Sequence, residues 1–161
     1  MFRQMRRFKQ QLPDEECRQI LSSTKRGVLS VLGDDDYPYG VPINFVYLPN
    51  VGEHGAVYFH SALTGHKIDA ITAHDKASFA VMDEGRRNEG EWWYYVNSVI
   101  CFGRICVVED PELIHSSLYA LGSKYFPAGT DIEADIAKNG RRVKMLELKI
   151  EHMTGKHVQE K

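Results

Sequence analysis

The stretch Tyr58-Phe59-His60-Ser61-Ala62-Leu63-Thr64-Gly65-His66-Lys67-Ile68-Asp69-Ala70-Ile71 decides how this chain is read. Val57 to Phe59 are β-branched and aromatic, as strands prefer. Thr64 is placed to cap a following helix and Gly65 to open it, and Ile68 and Ile71 give that helix one apolar stripe. His66 and Lys67 then fall in the first turn, where unpaired N–H groups and the positive end of the helix dipole favour acids. A lysine there either points into solvent or shares an anion, such as a phosphate, with the backbone N–H groups.

On either side of this unit, short apolar runs alternate with turns. Pro13, Asp14, Glu15 and Glu16 open a helix with Cys17, Ile20 and Leu21 on its apolar face, and Gly27 is expected to end it. Val28–Leu32 is a strand, Gly33–Asp36 a hairpin turn, and Tyr39–Leu48 the return strand, with Val41, Ile43, Phe45 and Tyr47 on one face. The aspartates of that turn lack further ligands at calcium-loop spacing and read as a solvated turn. Pro42 cannot donate to a ladder, so its strand belongs at a sheet edge, where neighbouring backbone groups and the Asn44 side chain meet water or a ligand.

Ala56–His60 and Ala77–Met82 are further strands, separated by the Lys67 helix. The run Glu91–Val108 is too long for one ordinary strand, and Gly103 marks a bend. Its aromatic start, Trp92-Trp93-Tyr94-Tyr95, either packs on a partner, lines a ligand face or fills the core. Asp110 caps a helix with Pro111 in its first position, a short helix covers Ala134–Asn139, and Val143–Ile150 closes the sheet. About six short strands with inserted helices indicate a small antiparallel barrel. The chain is expected to be a single domain over residues 1–161, with residues 1–12 as an N-terminal arm, flexible or docking late as a strand, and residues 151–161 as a polar tail.

Composition excludes several classes. Of 161 residues, 43% are hydrophobic and 26% charged, with a net charge of −2, so no basic field exists for nucleic acid. No apolar run reaches the ~20 residues of a membrane span, and the basic N-terminus lacks the apolar segment of a secretory signal. Cys17, Cys101 and Cys106 show no disulfide or zinc spacing and read as ordinary buried thiols of a cytoplasmic protein. The histidines show no metal-ligand spacing.

Four stretches together resemble the flavin-binding split-barrel superfamily of the pyridoxamine 5′-phosphate oxidases, and within it the nitroimidazole-resistance proteins. They are Tyr39–Phe45, Tyr58–Ala62 with Gly65-His66-Lys67, Asn97–Ile100 with Gly103, and Met153–Lys156. The resemblance implies a six-stranded antiparallel split β-barrel with peripheral helices, and a homodimer holding two FMN molecules at its interface. It implies that the backbone of Val41, Pro42, Ile43 and Asn44 meets the polar edge of the flavin ring. His60, Ser61 and Ala62 would flank the ring and ribityl chain, His66 and Lys67 would bind the phosphate, and Ser98 and Val99 would reach across from the second subunit.

It further implies an FMN-dependent reductase of small electron-poor molecules such as 5-nitroimidazoles, with a nicotinamide as electron donor and His60 as proton donor or substrate contact. Drug resistance would be one outcome. A non-catalytic flavin or haem carrier or sensor is the alternative within the same superfamily. The oxidases' arginine-rich C-terminal substrate segment and their phosphate-binding arginine are missing. Phosphate charge would therefore fall to Lys67, with Arg104 or Arg86 and Arg87 as helpers.

Overall fold

The structure is a computed structural model that describes residues 2–159; Met1, Glu160 and Lys161, the outermost parts of the expected arm and tail, lie outside the described residues. The strands are β1 (Gln11–Leu12), β2 (Arg26–Leu32), β3 (Pro38–Asn44), β4 (Val46–Leu48), β5 (Ala56–Ala62), β6 (Lys76–Met82), β7 (Tyr95–Val107) and β8 (Val143–Gln159). The helices are α1 (Asp14–Ser23), α2 (His66–Ala73), α3 (Pro111–Tyr125) and α4 (Ile132–Asn139). All strand pairs are antiparallel, in the order β3-β2-β6-β7-β8-β5-β4, with β1 added on β8. The two edge strands, β3 and β4, are consecutive in the chain and separated only by Phe45. The sheet therefore curls until its edges meet at one residue without pairing, which is the split barrel that the resemblance implied.

The barrel interior is filled by residues facing in from alternate positions. Phe79 stands edge-on to both Phe45 (4.7 Å) and Phe59 (5.1 Å), and all three are fully buried. A second buried cluster joins α3 to the outside of the barrel through Leu121, Val46, Tyr58 and Met145. Met145 to Leu148 are consequently buried on both faces of β8. That burial includes Glu147, which sits opposite Tyr58, accepts its hydroxyl proton at 2.5 Å and has Lys149 at 3.4 Å. A buried carboxylate is tolerable only when its oxygens are satisfied in this way.

Several expectations are corrected. The Tyr39–Leu48 strand is two strands: Phe45 turns inward to the core, β3 pairs with β2, and β4 pairs with β5 instead. With β1 this makes eight strands rather than six. The helix α1 ends at Ser23, and Gly27 is a strand residue whose missing side chain makes room for the Phe79 ring, 2.4 Å from where a Cβ would stand. Gly65 itself is the cap position of α2, at φ 129°, and Thr64 makes no capping bond. The stretch expected as a polar tail continues β8 through Gln159, because β7 is long enough to pair with all of it. The end of the N-terminal arm is docked as β1 against Lys156 and Gly155. Cys106 is exposed, whereas Cys17 and Cys101 are buried. Gly103 does mark an irregularity: the β7–β8 register slips between Phe102 and Gly103, and a Cβ there would lie 1.9 Å from the Lys149 carbonyl oxygen.

Candidate functional site

β3 is a sheet edge, and Pro42 lies on it, exposed. On its outer side β3 has no strand partner among the described residues, so alternate N–H and C=O groups along Val41–Asn44 face away from the sheet. Ile43 packs partly on the core and Val41 is half-buried, while Asn44 is half-buried and accepts from Arg26 Nε at 3.3 Å. The open edge stops at Phe45. There the Tyr125 hydroxyl from α3 accepts from the Phe45 N–H (3.0 Å) and donates to the Lys25 carbonyl, with the Phe45 carbonyl 2.8 Å away. Beside it the Lys124 ammonium lies 3.9 Å above the Phe45 ring centre, and burial lowers its pKa to about 8.

The end of β5 and the start of α2 approach the same region. Ser61 is buried, whereas His60 and Ala62 are exposed. Gly65 caps α2 without any side-chain bond to the first-turn N–H groups. Lys67 is half-buried and, among the described residues, has no carboxylate partner; desolvation lowers its pKa. His60 is close enough to feel it: burial first, and the Lys67 charge second, lower the His60 pKa from its ordinary 6.5. His60 is therefore neutral at pH 7. His66 faces elsewhere, stacking on Tyr39 at 4.2 Å with Asp34 3.6 Å from its Nε2. Its side chain ties α2 to the β2–β3 hairpin and leaves the first-turn N–H groups beside Lys67 without a side-chain cap.

Val99 is fully buried in its own barrel, so its side chain cannot reach a partner. The outward side chains on either side of it are Ser98 and Ile100. Register carries that outward rank across four strands: Pro42 opposes Val28, Val28 opposes Ala80, and Ala80 opposes Ile100. Met82, Ile100, Phe102 and Val28 are 65%, 42%, 38% and 37% exposed. Arg104 is committed to Asp75 (2.5 Å) and Glu151 (3.1 Å) and is not available to an anion. Arg86 and Arg87 lie over the rings of Tyr95 and Tyr94. In the aromatic run, Trp92 and Tyr94 are exposed, while Tyr95 is buried and accepts from Trp93 Nε1 at 3.2 Å.

Sequence reading missed the wall that α3 and α4 build opposite this edge. A cavity of about 260 Å³ lies between those helices and the barrel, and both Asn44 and His60 line it. Most of its remaining lining is apolar, from Leu118, Leu121, Phe126 and Ile136, with Asp135 and Asn139 as further polar groups. No local motif announces it, because the helices bring the wall together only after they pack. Among the described residues no three His, Cys, Asp or Glu side chains gather as a metal would need, and no helix is long and apolar enough to cross a membrane.

Residues 13–157 match the family model described as pyridoxamine 5′-phosphate oxidase. No significant match exists among curated proteins. Similar solved structures include a proposed 5-nitroimidazole antibiotic resistance protein from Bacteroides thetaiotaomicron (20% identity, 91% of this chain and 86% of that one, TM-score 0.73). Another is an FAD-binding protein from Mesorhizobium loti (21% identity, 92% and 97%, TM-score 0.68). A third is an FAD- and haem-binding protein from Mycobacterium smegmatis (19% identity, 93% and 74%, TM-score 0.71). At these identities the likeness speaks for the fold.

Proposed function

We propose a function from one premise: the chain belongs to the pyridoxamine 5′-phosphate oxidase family of split barrels. It is an FMN-binding oxidoreductase that works as a homodimer and reduces small electron-poor molecules, 5-nitroimidazoles among them. The observation that carries this reading is Lys67, a half-buried cation with no carboxylate partner among the described residues, at an uncapped helix start. Such a site fits a terminal phosphate, with the backbone N–H groups and the ammonium meeting the same oxygens. The relatives named for FAD binding and for nitroimidazole resistance favour a flavin in this fold. The phosphate-facing lysine favours FMN over riboflavin.

The residues around the site divide the work. The open edge of β3 at Val41–Asn44 offers backbone groups to the polar edge of a flat ring, and His60, Ser61 and Ala62 flank it. Bound FMN supplies a two-electron carrier between a reduced nicotinamide and the acceptor. His60, neutral at pH 7, presents a ring N–H as hydrogen-bond donor, or its free ring nitrogen as acceptor, to the substrate. Ser98 and the apolar rank through Val28, Ala80 and Ile100 form the subunit contact, because an exposed apolar face of this kind on a soluble protein marks an interaction surface. A cytoplasmic site of action follows from the free thiols and reduced nicotinamide.

The test is a fluorescence titration of the purified protein with FMN, riboflavin and FAD, preceded by an absorption spectrum as purified. FMN should bind at least tenfold tighter than riboflavin; equal affinities would remove the phosphate from the site. A second reading, a carrier or sensor that holds flavin or haem without turnover, is favoured by the relative named for binding both. A haem spectrum, or bound flavin with no nicotinamide oxidation in the presence of a nitroimidazole, would select it.

A further inference from the structure

We propose that the cavity beneath α3 and α4 is the compartment for the molecule acted on, and that it selects an unphosphorylated aromatic or heteroaromatic ring bearing an amine or other hydrogen-bond donor, held by the Asp135 carboxylate. This rests on the flavin reading only in calling the occupant a substrate. The position comes first. Asn44 and His60 belong both to the cavity wall and to the strand ends assigned to the flavin, so a molecule in the cavity is adjacent to that site.

The chemistry of the lining comes second. About 260 Å³ suits one compact ring system, and the wall is chiefly aliphatic and aromatic. No lysine or arginine lines it. A phosphate or carboxylate on the occupant would face Asp135 in apolar surroundings with no cation in the wall itself, Lys67 and Lys124 lying behind it, which is unfavourable. A donor meets the opposite situation. One Asp135 oxygen accepts from Asn139 Nδ2 at 2.7 Å, and the carboxylate forms no ion pair among the described residues. A carboxylate has acceptor sites for several donors, so capacity remains for one on a ligand. Asn139 is a positioning residue: its amide fixes the Asp135 rotamer. Neutral His60 adds no repulsion toward a cationic occupant.

Matched probes test this: 4-nitrobenzylamine, 4-nitrobenzyl alcohol and 4-nitrobenzoate, titrated calorimetrically into the purified dimer. The three share size and shape and differ in charge. The amine should bind about tenfold tighter than the alcohol, as a charge-assisted bond implies, and the benzoate at least tenfold weaker than the alcohol. Asp135→Asn should bring amine and alcohol within about threefold of each other. Ile136→Trp, which fills the cavity, should abolish binding of all three; Val143→Phe serves if that variant melts early. The proposal is overturned if the benzoate binds as well as the amine, if Asp135→Asn keeps the amine preference, if neither filled variant loses binding, or if no probe binds. Flavin content is read separately from absorbance. A protein without flavin that still shows the Asp135-dependent preference keeps the cavity as a ligand site and loses only the flavin function.

Discussion

The two faces of β6 and β7 carry side chains from the same short stretches of sequence and meet opposite fates. Inward, Phe79, Val81, Val99 and Cys101 are at most 2% exposed. Outward, one residue away in each case, Ala80, Met82, Ile100 and Phe102 form an apolar surface that this single chain covers only in part, with Phe2 and His152 against Phe102. The inner face is complete within one subunit. The outer face is where the proposed subunit contact would lie, and its rank runs toward Pro42 and the open edge of β3. Fold and association are thus separable by choosing odd or even positions along one strand.

Charging each face in turn should break this contrast most visibly. Val99→Asp places an unpaired carboxylate in the core, costs several kcal/mol against a stability of about 5–15 kcal/mol, and should leave little folded protein by circular dichroism. Ile100→Glu should stay folded, become monomeric by light scattering and lose its flavin. A dimeric, flavin-bound Ile100→Glu protein would remove the outer face from the interface.

Lys67 and His60 sharpen the same comparison. Lys67→Ala should weaken FMN by about 1.5–3 kcal/mol while hardly changing riboflavin, measured by flavin fluorescence. His60→Ala should retain flavin but slow nitro-compound reduction roughly ten- to a hundredfold in steady-state assays.

Lys124 packs on the inner ring Phe45 and should show the smallest effect, in stability alone. Its folded pKa of about 8 lies below the ordinary lysine value of 10.5, so between those values the unfolded chain holds one more proton. Stability from this group therefore rises with pH across that window and is lowest below it. Lys124→Met should remove that rise and stabilise the protein near pH 7 by about 1–2 kcal/mol, the ring face having offset part of the burial cost. Urea midpoints of both proteins at pH 7 and pH 10 measure it.

What the sequence disclosed follows from the range of the interactions involved. The β2–β3 hairpin, the Asp110–Pro111 start of α3 and the Gly103 irregularity are set by neighbours in the chain, and each lies where local signals place it. Lys67 was conspicuous because a cation opens a helix. The division at Phe45 was hidden, since alternation continues through it and only pairing with β5 pulls β4 away. The strand from residue 151 was hidden too: Glu151, Thr154, Lys156 and His157 look like a tail until β7 supplies the partner. Val99 and His66 appeared as site residues by resemblance; alternation turns the Val99 side chain into its own core, and the His66 ring stacks on Tyr39. Asp135 gave no local sign, because its role depends on a wall that α3 and α4 form together.

The length of β8 has a consequence for how the chain is made. It pairs with β5, β7 and β1, and the β1 contacts join Gln11 to Lys156 and Leu12 to Gly155. Nothing synthesised before β8 can close the sheet, so a nascent chain stalled near residue 140 holds β5 and β7 with bare edges on the ribosome. Closure of such distant pairs is slow, and exposed edges in the meantime invite aggregation. Folding of this barrel is therefore a late, nearly all-at-once event, and chaperone occupancy during synthesis should fall only after β8 has emerged.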